Sequence, residues 1–222
     1  MNNELNSRLQ KISEFVQTYL KKSYGNRSEE DRVNLDRYLS NAEYRWKHTL
    51  RVAQFGKVIA ENEAADDVEI ILAACLLHDV AWFDTNANNS REHGRLGAEK
   101  AHHLLESLGY NQEQIKNICY AVAAHVDEDH PDTLEAKILS DADNVDRFGP
   151  YRILQWCFAD IEDYDRLAAK LNERIHRLEH YRKENPLFTP TGQQLFSEQL
   201  NLQIRFFSEF VGENELSVMP RI

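Results

Sequence analysis

The sequence predicts an all-α protein, and three observations carry the prediction. Glycine and proline number only 8 and 5 in 222 residues, about half their usual share, so helices are rarely interrupted. Apolar residues recur at three- and four-residue spacing through nearly the whole chain. No segment shows convincing strand alternation, and there is no internal repeat or low-complexity tract.

Taken in order, Leu5, Leu9, Ile12, Phe15, Val16 and Tyr19 form one stripe on a helix over 4–22. Ser28, followed by Glu29, Glu30 and Asp31, reads as the N-cap and acidic first turn of a short second helix. A third helix is expected over 41–63 and a fourth from Asp66 or Asp67 to Leu77. Residues 79–90, polar from Thr85 to Ser90, read as the long loop of the first half. Ser90 is the expected cap of a helix ending at Leu108, with Gly109 as its stop. Asn111–Val126 and Thr133–Phe148 follow, separated by an acidic turn from Asp127 to Pro131. Gly149-Pro150 breaks the pattern, and two last helices are expected over 151–183 and 191–211. The organisation predicted is N-terminal helices over 1–39 packed on a core of 40–160, with 161–222 as C-terminal helices of the same domain.

Hydrophobic residues at 42% and charged residues at 28% describe a soluble globular chain. The net charge of −11 works against long nucleic acid and against anionic membranes. No apolar run approaches the ~20 residues that cross a bilayer, and Met1–Leu5 lacks the features of a signal peptide. The cytoplasm is therefore the expected location. Cys75, Cys119 and Cys157 are odd in number, lack a C-x-x-C pair and lie among apolar residues, which reads as buried free thiols.

Several polar side chains sit where the helical pattern calls for apolar ones. Tyr44, Val52, Phe55 and Ile59 fall within about 40° of His48 on a helical wheel, so His48 points inward. Such a histidine is, taken singly, more often a hydrogen-bonded core residue. His78-Asp79 follows eight consecutive apolar residues and precedes Val80-Ala-Trp-Phe83, which argues against free solvation of either. Asp141 falls on the side of Ile138, Ala142, Val145 and Phe148, with Asp143 on the opposite face. A carboxylate inside an apolar stripe needs a cation, a metal or several donors. His93 lies on the stripe of Gly97, Ala101, Leu104 and Leu108, and His125 at the edge of Ile115, Ile118, Cys119 and Val122. His102, His103, His130, His176 and His180 lie on other faces or in a polar turn. Histidines and aspartates converging from different helices suit a mixed nitrogen and oxygen metal site, and the lack of thiolate ligands argues against structural zinc.

His48, His78-Asp79 thirty residues later, and Asp141 together resemble the H…HD…D signature of the HD-domain metal-dependent phosphohydrolase superfamily. The contexts Trp46-Lys-His48-Thr-Leu-Arg51, Ala73-Ala-Cys-Leu-Leu-His78-Asp79, Ala123-Ala-His125 and Ile138-Leu-Ser-Asp141-Ala-Asp143 are similar too, most of all to small stand-alone bacterial HD hydrolases. The resemblance implies a helical bundle whose core, 40–160, binds metal. It implies that His48, His78, Asp79 and Asp141 hold one divalent ion, with Mn, Mg, Co, Ni or Fe as candidates. His93 and His125 match positions that hold a second ion or phosphate, and Asp79 is placed to steer a metal-bound water.

The activity so implied is hydrolysis of a nucleotide or another small phosphoester or pyrophosphate. Arg51 is the first candidate cation for the substrate, followed by Arg91, Arg95 and Lys47. The loop Trp82–Asn89 could close over a base, with Trp82 or Phe83 stacking. A two-iron HD-type oxygenase and a non-enzymatic nucleotide-sensing module are the alternatives. A G-x-x-x-x-G-K phosphate loop is absent, which excludes a P-loop NTPase. The charged segment Ile161–Lys183 reads as a solvated face, with a homodimer face as the alternative.

Overall fold

The computed structural model describes residues 2–38, 40–85, 92–126 and 131–219. The expected cap Ser90, Arg91, His130 and the loop residues 86–89 lie outside them. Among the described residues the chain forms ten α-helices and no strand: α1 (Asn2–Gly25), α2 (Glu29–Arg37), α3 (Ala42–Asn62), α4 (Val68–Leu77), α5 (Glu92–Ser107), α6 (Gln112–Ala124), α7 (Leu134–Arg147), α8 (Pro150–Ala159), α9 (Tyr164–Glu184) and α10 (Pro190–Leu216). No helix among them is long and apolar enough to cross a membrane.

Side chains written into the sequence set most of the helix starts. Ser28 and Asn41 each accept a backbone N–H from the third residue on, and Asp67 accepts from Glu69 and Ile70. Asn111 and Gln114 form a reciprocal capping box on α6. Thr133, Asp163 and Thr189 cap α7, α9 and α10, and Pro150 and Pro190 occupy first-turn positions whose N–H would have no partner anyway.

Two predicted segments differ from the structure. The helix expected over 151–183 is two, because Asp160 ends α8 and Asp163 starts α9. Asp160 is held by Arg166 Nε at 2.8 Å and Lys170 Nζ at 2.5 Å, so the break is braced by charge. The loop expected from residue 79 begins as structure instead. Val80, Ala81 and Phe83 are buried and Trp82–Asp84 make one 3₁₀ turn.

The core is centred on α4, whose Ile70, Ile71, Ala73, Ala74, Cys75, Leu76 and Leu77 are all buried. Helices α1, α3, α6 and α7 pack around it, and truncating a side chain such as Leu77 to alanine there costs about 2–5 kcal/mol. A Cβ at Gly56 would lie 2.6 Å from Cys75 Sγ, so glycine lets α3 approach α4 closely enough to bring His48 towards His78. Gly94 does the same for α5 against α6, where a Cβ would meet Ala123 O at 3.0 Å. A second apolar cluster joins the end of α7 to α8, α9 and α10, with Phe55 and Leu195 touching both clusters. Buried Glu69 joins α1 to the core, accepting from Arg8 at 2.6 Å and from Tyr110 Oη at 2.8 Å.

Candidate metal centre

Four histidines arrive from the facing helices α3, α4, α5 and α6. His48 is on α3, His78 follows α4, His93 is in the first turn of α5, and His125 caps the C-terminus of α6. His78 Nδ1 donates to Cys75 O at 2.8 Å, and His125 Nδ1 to Val122 O at 2.6 Å. His48 Nδ1 donates to Asp146 Oδ2 at 2.6 Å. A ring whose Nδ1–H is held this way presents its Nε2 lone pair, the usual way of orienting a metal-binding histidine.

Those Nε2 atoms converge on Asp79. Its Oδ2 lies 3.4 Å from His48 Nε2 and 3.3 Å from His78 Nε2, while Oδ1 lies 3.1 Å from His93 Nε2 and 3.8 Å from His125 Nε2. Within each pair the nitrogens are close, 3.3 Å for His48 and His78 and 3.1 Å for His93 and His125. Lone pairs at such separations repel unless a cation or proton lies between them. His48, His78 and Asp79 therefore fit a divalent metal ion, and Asp79, His93 and His125 form a second triad sharing the same carboxylate.

Electrostatics agree with this geometry. Burial acts to lower the pKa of His48, but hydrogen bonds to Asp143, Asp146 and Asp79 outweigh it and hold the imidazole well above its ordinary value. In the metal-free protein a proton thus does what a metal cation would do. Asp79 is buried, which alone would raise its pKa; His78 and the Arg45 guanidinium hold it well below the usual carboxylate range. Arg45 Nη1 is 2.6 Å from Asp79 Oδ2, and its guanidinium stacks 3.7 Å over the Trp82 ring.

The structure separates the two aspartates of α7 differently from the sequence expectation. Asp141 does not join the histidines. Its Oδ1 accepts from Phe188 N at 2.9 Å, and its Oδ2 from Thr189 N at 2.7 Å and Thr189 Oγ1 at 2.6 Å, so it anchors the start of α10. Asp143 is the residue facing His48, with Oδ1 at 3.1 Å from His48 Nε2 and 4.0 Å from His78 Nε2. The two do point in opposite directions, as the wheel predicts. However, α7 is buried on nearly every side, and the face opposite Asp141 looks towards α3 rather than solvent.

Arg51 is also placed differently. Its Nε and Nη2 grip Asp146 at 2.5 and 3.0 Å, and its guanidinium lies 3.9 Å over the Tyr151 ring. It orients the carboxylate that orients His48. Arg95 pairs with Glu92 and Glu99 on the surface, and Lys47 with Glu43 at 3.2 Å. Phe83 packs in the core against Tyr24, while Trp82 lines the site. The residues the sequence reading missed are Arg45, Asp143 and Asp146. Arg45 is one turn before His48, and Asp143 and Asp146 are spaced i, i+3, so a shared inward face was there to be read.

The cluster opens into a cavity of about 640 Å³, lined by Arg45, His48, Asp79, Trp82, His93 and His125 among others. That is the size and mixed polarity of a small-molecule site.

Residues 45–147, which hold every one of these side chains, match the family model of the HD domain. That stretch, a little under half of the chain, is similar to the HD domain. Ribonuclease Y of Borreliella burgdorferi is 34% identical over 104 residues, 46% of this chain and 19% of that protein, so the chain spans about a fifth of the length of that relative. YpgQ of Bacillus subtilis, itself uncharacterised, is 24% identical over 169 residues, 72% of this chain and 80% of YpgQ. Its crystal structure in complex with ADP superposes with a TM-score of 0.61 at 19% identity, over 97% of both chains. A predicted HD superfamily hydrolase from an uncultured Thermotogales bacterium gives 0.61 at 23% identity over 92% of each. These likenesses establish the all-α HD fold over nearly the full chain.

Proposed function

We propose that this chain is a metal-dependent hydrolase that cleaves a phosphate ester or anhydride bond in a small phosphorylated compound, a nucleotide first among them. The observation that carries the reading is the convergence of Asp79 with His48 and His78, both with their Nδ1 partners in place, at one wall of a nucleotide-sized cavity. The HD-domain match supports it, as does the ADP complex of YpgQ. In this reading Asp143 replaces Asp141 as the fourth ligand.

His48, His78 and Asp79 would hold a divalent ion, which would supply Lewis-acid polarisation of a phosphoryl oxygen and activation of water near neutral pH. The protein's own groups do the rest. Asp146 and Arg51 fix the His48 ring, and Arg45 balances the Asp79 charge while holding Trp82 at the cavity wall. His93 and His125 stand on the other side of Asp79, where their ring nitrogens are placed to contact a phosphoryl oxygen or exchange a proton with a leaving oxygen.

A second reading rests on the second triad. Should Asp79, His93 and His125 hold a second ion, the chemistry of a two-iron oxygenase would be open as well. One experiment separates them. Protein purified without chelator is assayed for metal content, phosphate release from a panel of nucleotides and phosphomonoesters, and oxygen uptake. Chelator-sensitive phosphate release, restored by Mn, Co, Ni or Mg, is the expected result. About two irons with oxygen consumption and no phosphate release would transfer the assignment to the oxygenase.

A further inference from the structure

Beyond Asp143 the wall of the same cavity turns cationic. Asp143 stands at the border, with Oδ1 towards His48 at 3.1 Å and Oδ2 towards Arg147 Nη1 at 3.9 Å. Arg147 and Arg152, from the end of α7 and the start of α8, line the cavity together with Phe148 and Tyr181. Arg152 donates Nε to Arg147 O at 3.0 Å, which fixes the stem of its guanidinium. Behind them Arg174 of α9 lies 5.1 Å from the Phe148 ring and 5.3 Å from the Trp156 ring, with its Nε buried and without a hydrogen-bond partner. Among the described residues neither Arg152 nor Arg174 has a carboxylate within ion-pair distance.

That arrangement is unusual in a chain of net charge −11. Partly buried guanidiniums normally find carboxylates, because removing a charge from water without compensation is costly. Here burial, and then the neighbouring Arg147 and Arg45, outweigh the opposing pull of Tyr44 and Asp143 and push the pKa of Arg152 down. Burial, followed by Arg152, Arg177 and Arg147, brings Arg174 to about 10. The nearby carboxylate at this cavity wall, Asp143, pairs with Arg147 and leaves Arg152 and Arg174 without an ion-pair partner among the described residues.

We propose that Arg152, with Arg147 beside it and Arg174 behind it, is an anion subsite that holds a second phosphoryl group of the substrate. The proposal rests on the hydrolase reading and narrows it. With one phosphoryl group at the His/Asp cluster and its neighbour against Arg152, the substrate class is a phosphoanhydride, such as a nucleoside di- or triphosphate, rather than a phosphomonoester. Arginine suits the role because its planar fork meets two phosphate oxygens at once.

The test uses chelator-stripped full-length protein and calorimetric titration with inorganic pyrophosphate, inorganic phosphate, ADP and AMP. Wild type is expected to prefer pyrophosphate over phosphate and ADP over AMP, with affinity that weakens as salt rises. Arg152→Gln should lose at least about tenfold in pyrophosphate affinity, the equivalent of one charge-assisted hydrogen bond, and Arg152→Lys should recover part of it. Thermal melting separates binding from structure. R152Q should melt at or above the wild-type temperature without anion, since a repulsion is relieved, and should lose the upward shift that pyrophosphate gives wild type. Arg174→Gln, tested alongside, should show the same pattern more weakly, and carries the test should R152Q not fold. Undiminished pyrophosphate binding in both variants, or no preference for pyrophosphate in wild type, would overturn the subsite. Because every readout is made without metal and without turnover, it stands apart from the test of hydrolysis. Phosphate release could fail while this subsite survives, or the reverse.

Discussion

Replacing Asp141 by alanine should unfold the α10 anchor and leave metal binding intact. The carboxylate accepts three hydrogen bonds, from the backbone N–H groups of Phe188 and Thr189 and from the Thr189 hydroxyl, and is itself fully buried. Hydrogen bonds to a charged acceptor contribute roughly 1.5–3 kcal/mol each, and a buried donor left alone costs about 1–3. Against this stands the desolvation of the carboxylate, which raises the Asp141 pKa despite its three donors. The net loss should be about 3–5 kcal/mol, within the range for a broken buried network. At roughly 2–4 °C per kcal/mol for a chain of this size, the midpoint should fall by about 6–20 °C. In the wild-type chain it is glycine at 192 that makes room for this carboxylate, because a Cβ there would collide with Asp141 and with Thr189 Oγ1. The assay is thermal melting by circular dichroism together with Mn titration of the folded variant at low temperature. A variant that melts within about 2 °C of wild type but no longer binds Mn would refute the reasoning, and would restore Asp141 to the ligand set.

Other outcomes follow from the same geometry. Because the folded protein raises the His48 pKa, the stabilisation this gives the metal-free form is complete below the unfolded value of about 6.5 and is lost as pH rises through the folded value. Metal must displace that proton, so Mn affinity should climb with pH across the same window; calorimetry in buffers of different ionisation enthalpy should detect the proton released, and a pH-independent affinity would contradict it. Asp146→Asn loosens the His48 ring and unpairs Arg51, which should weaken metal binding about 10–100-fold in competition with a chelating dye; an unchanged affinity would remove Asp146 from the site. Burial, reinforced by the Asp143 charge, pushes the Cys75 thiol up, and burial pushes Cys119 to about 11. Both should resist a disulfide reagent at about pH 8 until guanidinium is added, with rapid labelling of the native protein as the contrary result.

Much of the fold was legible because the signals were local. A cap such as Ser28 acts within one turn, and the unbroken apolar run Ile70–Leu77 marks α4 as the helix buried on all sides. The break at 160–163 was hidden because it contains no glycine or proline; Asp160 and Asp163 end and restart the helix through ion pairs and a cap that charge alone does not announce. At the site, His48, His78, Asp79, His93 and His125 are brought together as their inward placement suggested. The wheel put Asp141 and Asp143 on opposite faces but could not say which face meets the histidines, because both faces of α7 are buried. Only the packing of α3 on one side and α10 on the other decides which carboxylate meets the histidines. Arg51 misled for a related reason: its partner Asp146 is 95 residues away.

The central claim is that the imidazoles of His48 and His78 and the Asp79 carboxylate hold a divalent ion, and a Mn titration of chelator-stripped protein, read by the electron paramagnetic resonance of free Mn, tests it most directly. Wild type should take up at least one equivalent, and His78→Gln should bind more weakly by an order of magnitude or more while keeping its helical spectrum, as expected when one of a few ligands is lost. Absence of uptake by wild type, or uptake by H78Q equal to it, would contradict the account.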